Sequence, residues 1–362
     1  MSTRVANDRL VRWIEVSGLS NGQLAAQVRD LAQRSGYPQV HPDGRRVRAW
    51  RQGERPRDPV PELLMAVLSR CTGHTLTLDD LGLGDDRLRP LSERPWTTHV
   101  LARELAAVTR SDIVRPPTPD RCPPPLHGED LLEAVRPWAA VYAAPARRHG
   151  PHRLDHADVD RLQTLTQALR TLDNLHGGGM ARQAVIGQLT GVTDLIAAAT
   201  YTDEVGQRLF TALGDLAGIA GWMSHDVGLH QPAQTYFLLA LRAAKEARNP
   251  HLGAHILNCM ARQATHLNRP DDALELVHLA LRGVRRAATP IVRAILHSLE
   301  ARAHAMKGNS VEFARAAHQA ETAFASGGES ADEPVWARFF DTSEFHATIG
   351  VGHQILARQT DP

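Results

Sequence analysis

The residues best suited to chemistry lie in one short stretch. Between Asp43 and Gly53 the chain reads DGRRVRAWRQG, with arginines at 45, 46, 48 and 51. Taken as a helix at about 100° per residue, Val47 and Trp50 fall about 60° apart and define a buried side. Arg45, Arg48, Ala49 and Gln52 then point outward, and Arg46 and Arg51 flank them. A guanidinium fork matches the O6 and N7 acceptors of guanine, and small residues let a helix approach base edges in the major groove. Flanking arginines suit phosphates. The spacing therefore predicts Arg45, Arg46, Arg48, Ala49, Arg51 and Gln52 as contacts to double-stranded DNA. The competing reading is a plain solvated surface. Residues 1–70 hold twelve arginines against seven acids, a net +5 in a chain whose total is only +1. A near-neutral whole thus conceals a basic head.

Other chemistry is thinner. The nineteen histidines raise the question of metal, but pairs such as His225/His230 and His251/His255 lack carboxylate or cysteine companions at ligand spacing. No metal site and no cofactor are expected. The sequence has no GxSxG, HExxH, P-loop or dinucleotide fingerprint, so an enzyme is not expected. Cys71, Cys122 and Cys259 form no CxxC pair, which favours a reducing compartment. No apolar run approaches the roughly 20 residues of a membrane span, and the charged N-terminus lacks an apolar signal core. A cytoplasmic protein without membrane contact is the expectation.

The elements that must position the arginines follow from composition. Of the 362 residues, 43% are hydrophobic but only 5% aromatic, and alanine and leucine dominate, which predicts an all-α chain. Residues 7–71 read as four helices. The first spans about Asp8 to Val16, with Leu10, Val11 and Ile14 inward. The second follows Ser20 or Asn21 and buries Leu24, Val28 and Leu31. Asp43 caps the third and Gly53 ends it. The fourth starts near Pro61 and buries Leu63, Leu64, Val67 and Leu68. A head at 1–88 precedes a proline-rich linker at 89–157, in which Pro116, Pro117, Pro119 and Pro123–125 crowd together. One helix near 97–109 and another around EDLLEAVRPWAAVY are expected inside it. A repeat domain at 158–350 and a tail at 351–362 complete the chain.

The repeat assignment rests on a forty-residue shift. Pro250 maps to Pro290, Ala254 to Ala294 and Ile256 to Leu296. Gly221, Ala261 and Ala301 align as small residues of a first helix, and Ala240, Ala280 and Ala320 of a second. Gly228, Asn268 and Gly308 align at the turn between them, where a left-handed residue suits Gly or Asn. Each unit is therefore helix, tight turn, helix, and must stack on neighbours to bury its apolar face. Gly177–Gly179 read as another interhelix turn. Trp222, Asn258, Arg262 and Arg302 fall on first helices, which line the concave face of such arrays. Asn258/Arg262 and their equivalents Ser298/Arg302 could clamp a carboxylate-bearing ligand or a peptide. The alternative is that these arginines pair with acids such as Asp226 or Glu300 and only join repeats.

Head and body together resemble a known family. The segments LSNGQLAAQVRDLAQ, RRVRAWRQGERPRDPVPELLMAVLS and LTLDDLGLG resemble the helix-turn-helix head of actinobacterial (Streptomyces-type) Xre/Cro-like regulators. The segments LDNLHGGGMAR and LFTALGDLAGIAGWMSHDVGLHQPAQTYFLLALRAAKEARN resemble the tetratricopeptide body that such regulators carry. One departure is the long Pro/Gly-rich connection before the third helix. The resemblance implies an N-terminal helix-turn-helix domain followed by a tetratricopeptide-like α-solenoid. It implies a transcriptional regulator of differentiation or secondary metabolism, with a body that dimerises or senses a peptide or small ligand. A homodimer is expected, because one short recognition helix offers few base contacts. The alternative function is a tetratricopeptide adaptor with a vestigial head.

Overall fold

In the computed structural model, residues 7–35, 37–57, 59–74, 76, 78, 80–83, 96, 98–139, 152–284, 287–327 and 333–360 are described. Among them the chain is all-α apart from two short strands, β1 (His152–Arg153) and β2 (Ala199–Thr200), which pair in parallel. The chain divides into two units, residues 1–90 with 106–117, and residues 91–105 with 118–362. The head boundary expected at 88 falls within 84–95, outside the described residues. No described helix is long and apolar enough to cross a membrane.

Local caps set the head. Helix α1 (Asp8–Val16) starts on Asn7, whose side chain accepts from the Leu10 amide and donates to the Leu81 carbonyl at 2.9 Å. Helix α2 (Asn21–Arg34) starts on a reciprocal capping box between Ser20 and Gln23. Helix α3 (Gly44–Arg51) starts on Asp43, and α4 (Val60–Thr72) carries Pro61 in its first turn. Leu10, Ile14, Leu24, Val28, Val47, Trp50, Leu63, Leu64, Val67 and Leu68 form one core. Val11 and Leu31 are only half-buried, whereas Ala25 and Ala32 are buried.

Helix α5 (Thr98–Val114) ends five residues later than expected and is divided between the units. The body continues with α6 (Gly128–Val135), a 3-10 turn (Arg136–Ala139), α7 (His156–His176) and α8 (Gly178–Ala198). Gly177, with φ +71°, forms the turn between α7 and α8. Three helix pairs follow: α9 (Asp203–Asp226) with α10 (His230–Glu246), α11 (Pro250–His266) with α12 (Pro270–Val284), and α13 (Pro290–Met306) with α14 (Ser310–Ala325). Helix α15 (Thr342–Thr360) packs on α13. It runs through residue 350, so the segment expected as a tail from 351 is helix as far as Thr360.

The turns inside the pairs are superimposable in hydrogen bonding. Gly228, Asn268 and Gly308 all have positive φ, at +77°, +56° and +70°. After each, the next amide bonds back to the helix just ended: Leu229 to Ser224 O, Arg269 to Ala264 O, and Asn309 to His304 O, at 2.8–3.0 Å. This is the pattern of a left-handed helix cap. The same bonds recur between α10 and α11, where Arg248 takes φ +51° and Asn249 bonds to Ala244 O. The aligned small residues Ala240, Ala261, Ala280, Ala301 and Ala320 are all fully buried.

Residues 118–139 are not a free linker but part of the body. Proline lacks an amide donor, yet its carbonyl remains an acceptor. Arg269 donates to Pro125 O, and Lys245 to Pro137 O. Gln234 both donates to Leu126 O (2.9 Å) and accepts from Leu126 N (2.6 Å). The segment ends in Trp138, 2% exposed, seated where α11 and α12 present Gly253 and Gly283. A Cβ on Gly253 would lie 2.2 Å from the indole nitrogen, and one on Gly283 would lie 2.0 Å from the ring.

This seat reverses a common effect. Gly→Ala inside an open helix stabilises by about 1 kcal/mol. Here Gly253→Ala is expected to destabilise by about 1–3 kcal/mol through overpacking. Adding Trp138→Ala should remove the penalty of the alanine, so the double variant should be less destabilised than the two single losses combined. Thermal unfolding of the four proteins of the cycle measures this.

Candidate nucleic-acid interface and the first-helix face of the body

In the head, α3 is fixed from below and open above. Val47 and Trp50 are 0% and 4% exposed within the core. The end of α3 is tied to the start of α1 by a bond from Asn7 N to Arg51 O at 3.1 Å. The long connection before α3 is pinned too. Tyr37 N bonds to Ala32 O at 2.8 Å, Arg29 donates to Pro42 O at 2.6 Å, and Tyr37 and Val40 pack against the core. The departure from a tight turn therefore leaves α3 held on several sides.

The six predicted residues share the outer side but differ in partners. Arg45, Arg48 and Gln52 are exposed and Ala49 is half-buried. The side chains of Arg45 and Arg48 have no hydrogen bond or ion pair to any described residue. Arg46 pairs with Glu54 at 2.7 Å. Arg51 reaches Glu15 at 3.3 Å and the Asn21 side chain at 3.2 Å, joining α3 to α1 and α2. In both pairs one partner is about two-thirds exposed. Such surface pairs are worth roughly 0–1 kcal/mol, so exchanging a carboxylate for a phosphate is inexpensive. The sequence missed these two acids because they lie on other elements.

A family model described as the SP15 N-terminal domain matches residues 10–84. That span begins in α1, contains α2 to α4 whole, and includes none of the helix pairs of the body. No curated protein and no solved structure matches the chain.

The matched domain leans on one side chain. Trp50 is the largest group that α3 contributes to a core of short aliphatics. Trp50→Ala is expected to cost about 3–5 kcal/mol through the cavity it leaves, a large share of a small domain's stability. Chemical denaturation should show the head unfolding first while the body transition keeps its midpoint. A head of unchanged stability would remove Trp50 from the core.

In the body, the structure brings the predicted ligand residues onto neighbouring first helices. Arg262 stacks over the Trp222 ring at 5.3 Å. Asn258 and Ser298 are buried, at 3% and 1% exposure. Buried Ser298 Oγ and Arg302 Nε have no hydrogen-bond partner among the described residues. Asn258, Arg262 and Arg302 border a small gap together with Phe339, Phe340 and Glu344 from the C-terminal segment. That gap holds only about 40 Å³, little more than a water's share of liquid volume. A concave ligand-binding face was expected here, and the chain's own C-terminal segment lies against it. Glu300 is not paired with Arg302. It accepts from His297 at 2.8 Å and His278 at 3.2 Å and pairs with Arg315 at 3.4 Å. Burial opposes its charge, but those bonds outweigh it and hold the carboxyl well below the usual range.

Three histidines gather where the end of α9, the start of α10 and the end of α11 meet. His225 Nε2 meets His266 Nδ1 at 2.8 Å, with the rings stacked, and His225 Nδ1 meets His230 Nδ1 at 3.3 Å. His225 and His266 are 41 residues apart, so only stacking of the pairs brings them together. Among the described residues no group of three or more ligand-type side chains could hold a metal. Burial, then the neighbouring His266, pushes His225 down to about 4. Burial also lowers His230, His251, His266 and His304, and takes His255 down to about 3.

The sign of the pH effect follows. A histidine held neutral in the fold takes up a proton on unfolding, so its contribution is full above about 6.5 and is lost as pH falls toward about 4. Asp173 acts oppositely, because burial and then Asp226 push it up to about 6. Six depressed histidines outnumber the raised carboxyls of Asp173 and Asp226. The melting temperature of the body is therefore expected to fall between about pH 6.5 and pH 4. His225→Gln should flatten part of that slope. Equal slopes in the two proteins would assign the effect elsewhere.

Proposed function

We propose that this chain is a sequence-specific DNA-binding transcriptional regulator. In this reading the head is a helix-turn-helix domain with α3 as its recognition helix, and the body is a tetratricopeptide-like array. The observation that carries the reading is the pair Arg45 and Arg48. Both are exposed, unpaired among the described residues, and mounted on a helix anchored by Val47 and Trp50. Unpaired guanidinium forks one turn apart suit base edges. Arg46 and Arg51, already engaged with carboxylates, suit phosphates. The resemblance to Xre/Cro-like regulators adds control of differentiation or secondary metabolism.

The body then has two tasks in this proposal. It pairs two copies, since two-fold pairing doubles the base contacts and imposes an inverted-repeat operator. It also senses an effector at Trp222, Asn258, Arg262 and Arg302, where two arginines flank the segment bearing Phe339 and Phe340. A peptide or carboxylate ligand there changes DNA binding only through differential affinity for two states of that segment.

Selection of bound sites from a random duplex pool, followed by titrations at several salt concentrations, tests the DNA reading. Arg48→Ala should lose about 1–3 kcal/mol on the selected site and relax preference at one base pair. Arg51→Ala should weaken all sequences similarly and reduce the salt dependence. The selected site should carry a dyad. An Arg48→Ala protein with unchanged affinity and preference would overturn the assignment of α3.

A further inference from the structure

A second opening in the body lies away from the arginine clamp. It is a cleft of about 390 Å³ between α7, α9, the start of α11 and the turn Val335–Ala337. That volume falls within the range of small-molecule sites and exceeds by an order of magnitude what one water occupies. Its lining is polar at Gln163, Gln167, Thr211 and Asn249 and apolar at Leu252, Pro334 and Val335.

The charges around the cleft are already spent. Arg170 donates to Asp215, both at its lining and largely buried, at 18% and 30% side-chain exposure. Glu333, next to the apolar lining, accepts from Thr289 Oγ1 at 2.7 Å and from Ile291 N at 3.3 Å, and so caps α13. Burial lowers the His251 imidazole, which keeps it neutral near pH 7. A net charge entering this site would lose hydration without gaining a free counter-charge.

Two polar atoms at the cleft are left over. Trp336 and His251 both line it, and Trp336 Nε1 and His251 Nδ1 are buried without a hydrogen-bond partner among the described residues. The indole nitrogen is a donor only, so its missing partner is an acceptor. The ring itself is held in place, stacked on His255 at 4.6 Å between centroids.

We propose that this cleft binds an uncharged organic molecule that presents a carbonyl acceptor to the Trp336 N–H on a flat apolar skeleton. The skeleton lies against Leu252, Pro334 and Val335, and the amides of Gln163 and Gln167 meet its polar edge, while Asn249 is held as the cap of the helix starting at Pro250 and against Thr211. The site is formed by the body alone and does not depend on the head binding DNA. It also differs in chemistry from the arginine clamp, which suits an anion.

A neutral naphthyl ketone whose emission shifts to the blue in apolar surroundings (prodan) tests this on the full chain, with an anionic anilinonaphthalene sulfonate as the charged counterpart. Prodan is expected to saturate at one molecule per chain. Trp336→Phe keeps the stacked ring and deletes the donor, and should weaken binding about tenfold. Gln167→Trp fills the rim from an exposed position, so the fold is retained, and should abolish the saturable signal. Unchanged melting temperatures for both variants separate loss of the site from loss of the fold. Prodan binding that ignores Gln167→Trp, or that never saturates, overturns the site. Preferential binding of the sulfonate that Gln167→Trp abolishes overturns the uncharged ligand class.

Discussion

A helix pair has two long faces, and a short stack of pairs leaves both rows of helices uncovered. Everything in the body answers that constraint. The second helices α10 and α12 are covered by residues 118–139, ending in Trp138. The first helix α13 is covered by the turn at Val335–Ala337 and by α15. These covers explain how the proline-rich stretch 118–125 packs on the body. Its backbone cannot join a ladder, so side chains of the covered helices reach out to its carbonyls instead.

The head solves a smaller version of the same problem. Its core is almost entirely aliphatic, and α3 is too short to hold itself by propensity. Its place is fixed by Val47 and Trp50 inside and by Asp43 and Asn7 at its ends. Anchoring on one side frees the other side from any packing duty. That freedom is what allows exposed arginines to stand on a rigid element.

Local rules were legible in the sequence, and long-range pairings were not. Ser20 and Asp43 cap as their types require, and Val47 and Trp50 lie inward as their spacing requires. Gly228, Asn268 and Gly308 could be found because left-handed backbone selects residue types that repeat. Arg248 adopts the same backbone without the residue type that would reveal it, its left-handed turn being closed by the bond from Asn249 to Ala244. The socket for Trp138 depends on glycines more than 110 positions away, and neither glycine announces a tryptophan. In the candidate DNA surface, the outward side of α3 was readable, whereas the pairing of Arg51 with Glu15 belongs to tertiary structure. The pair His225/His230 could be read in the sequence, but its third member could not, because packing of the helix pairs brings His266 to His225 across 41 residues.

Burial decides what each arginine of this chain is free to do. Arg46 is 64% exposed and its ion pair is weak, so it can change partners at little cost. Arg170 is 18% exposed and committed to Asp215, and losing that acid would leave a charge in a poor solvent. Arg262 and Arg302 lie between these limits. One is stacked on Trp222 and the other is half-buried with an unpartnered Nε. Burial and then the nearby Arg262 charge lower the pKa of Arg302. An acidic group arriving there would relieve both penalties at once, whereas at the neutral cleft beside Arg170 it would meet a charge already satisfied. The same repeat scaffold thus offers two kinds of ground: Arg170 is bonded to Asp215, whereas Arg262 feels the Asp226 charge without an ion pair and Arg302 shares its gap with Glu344.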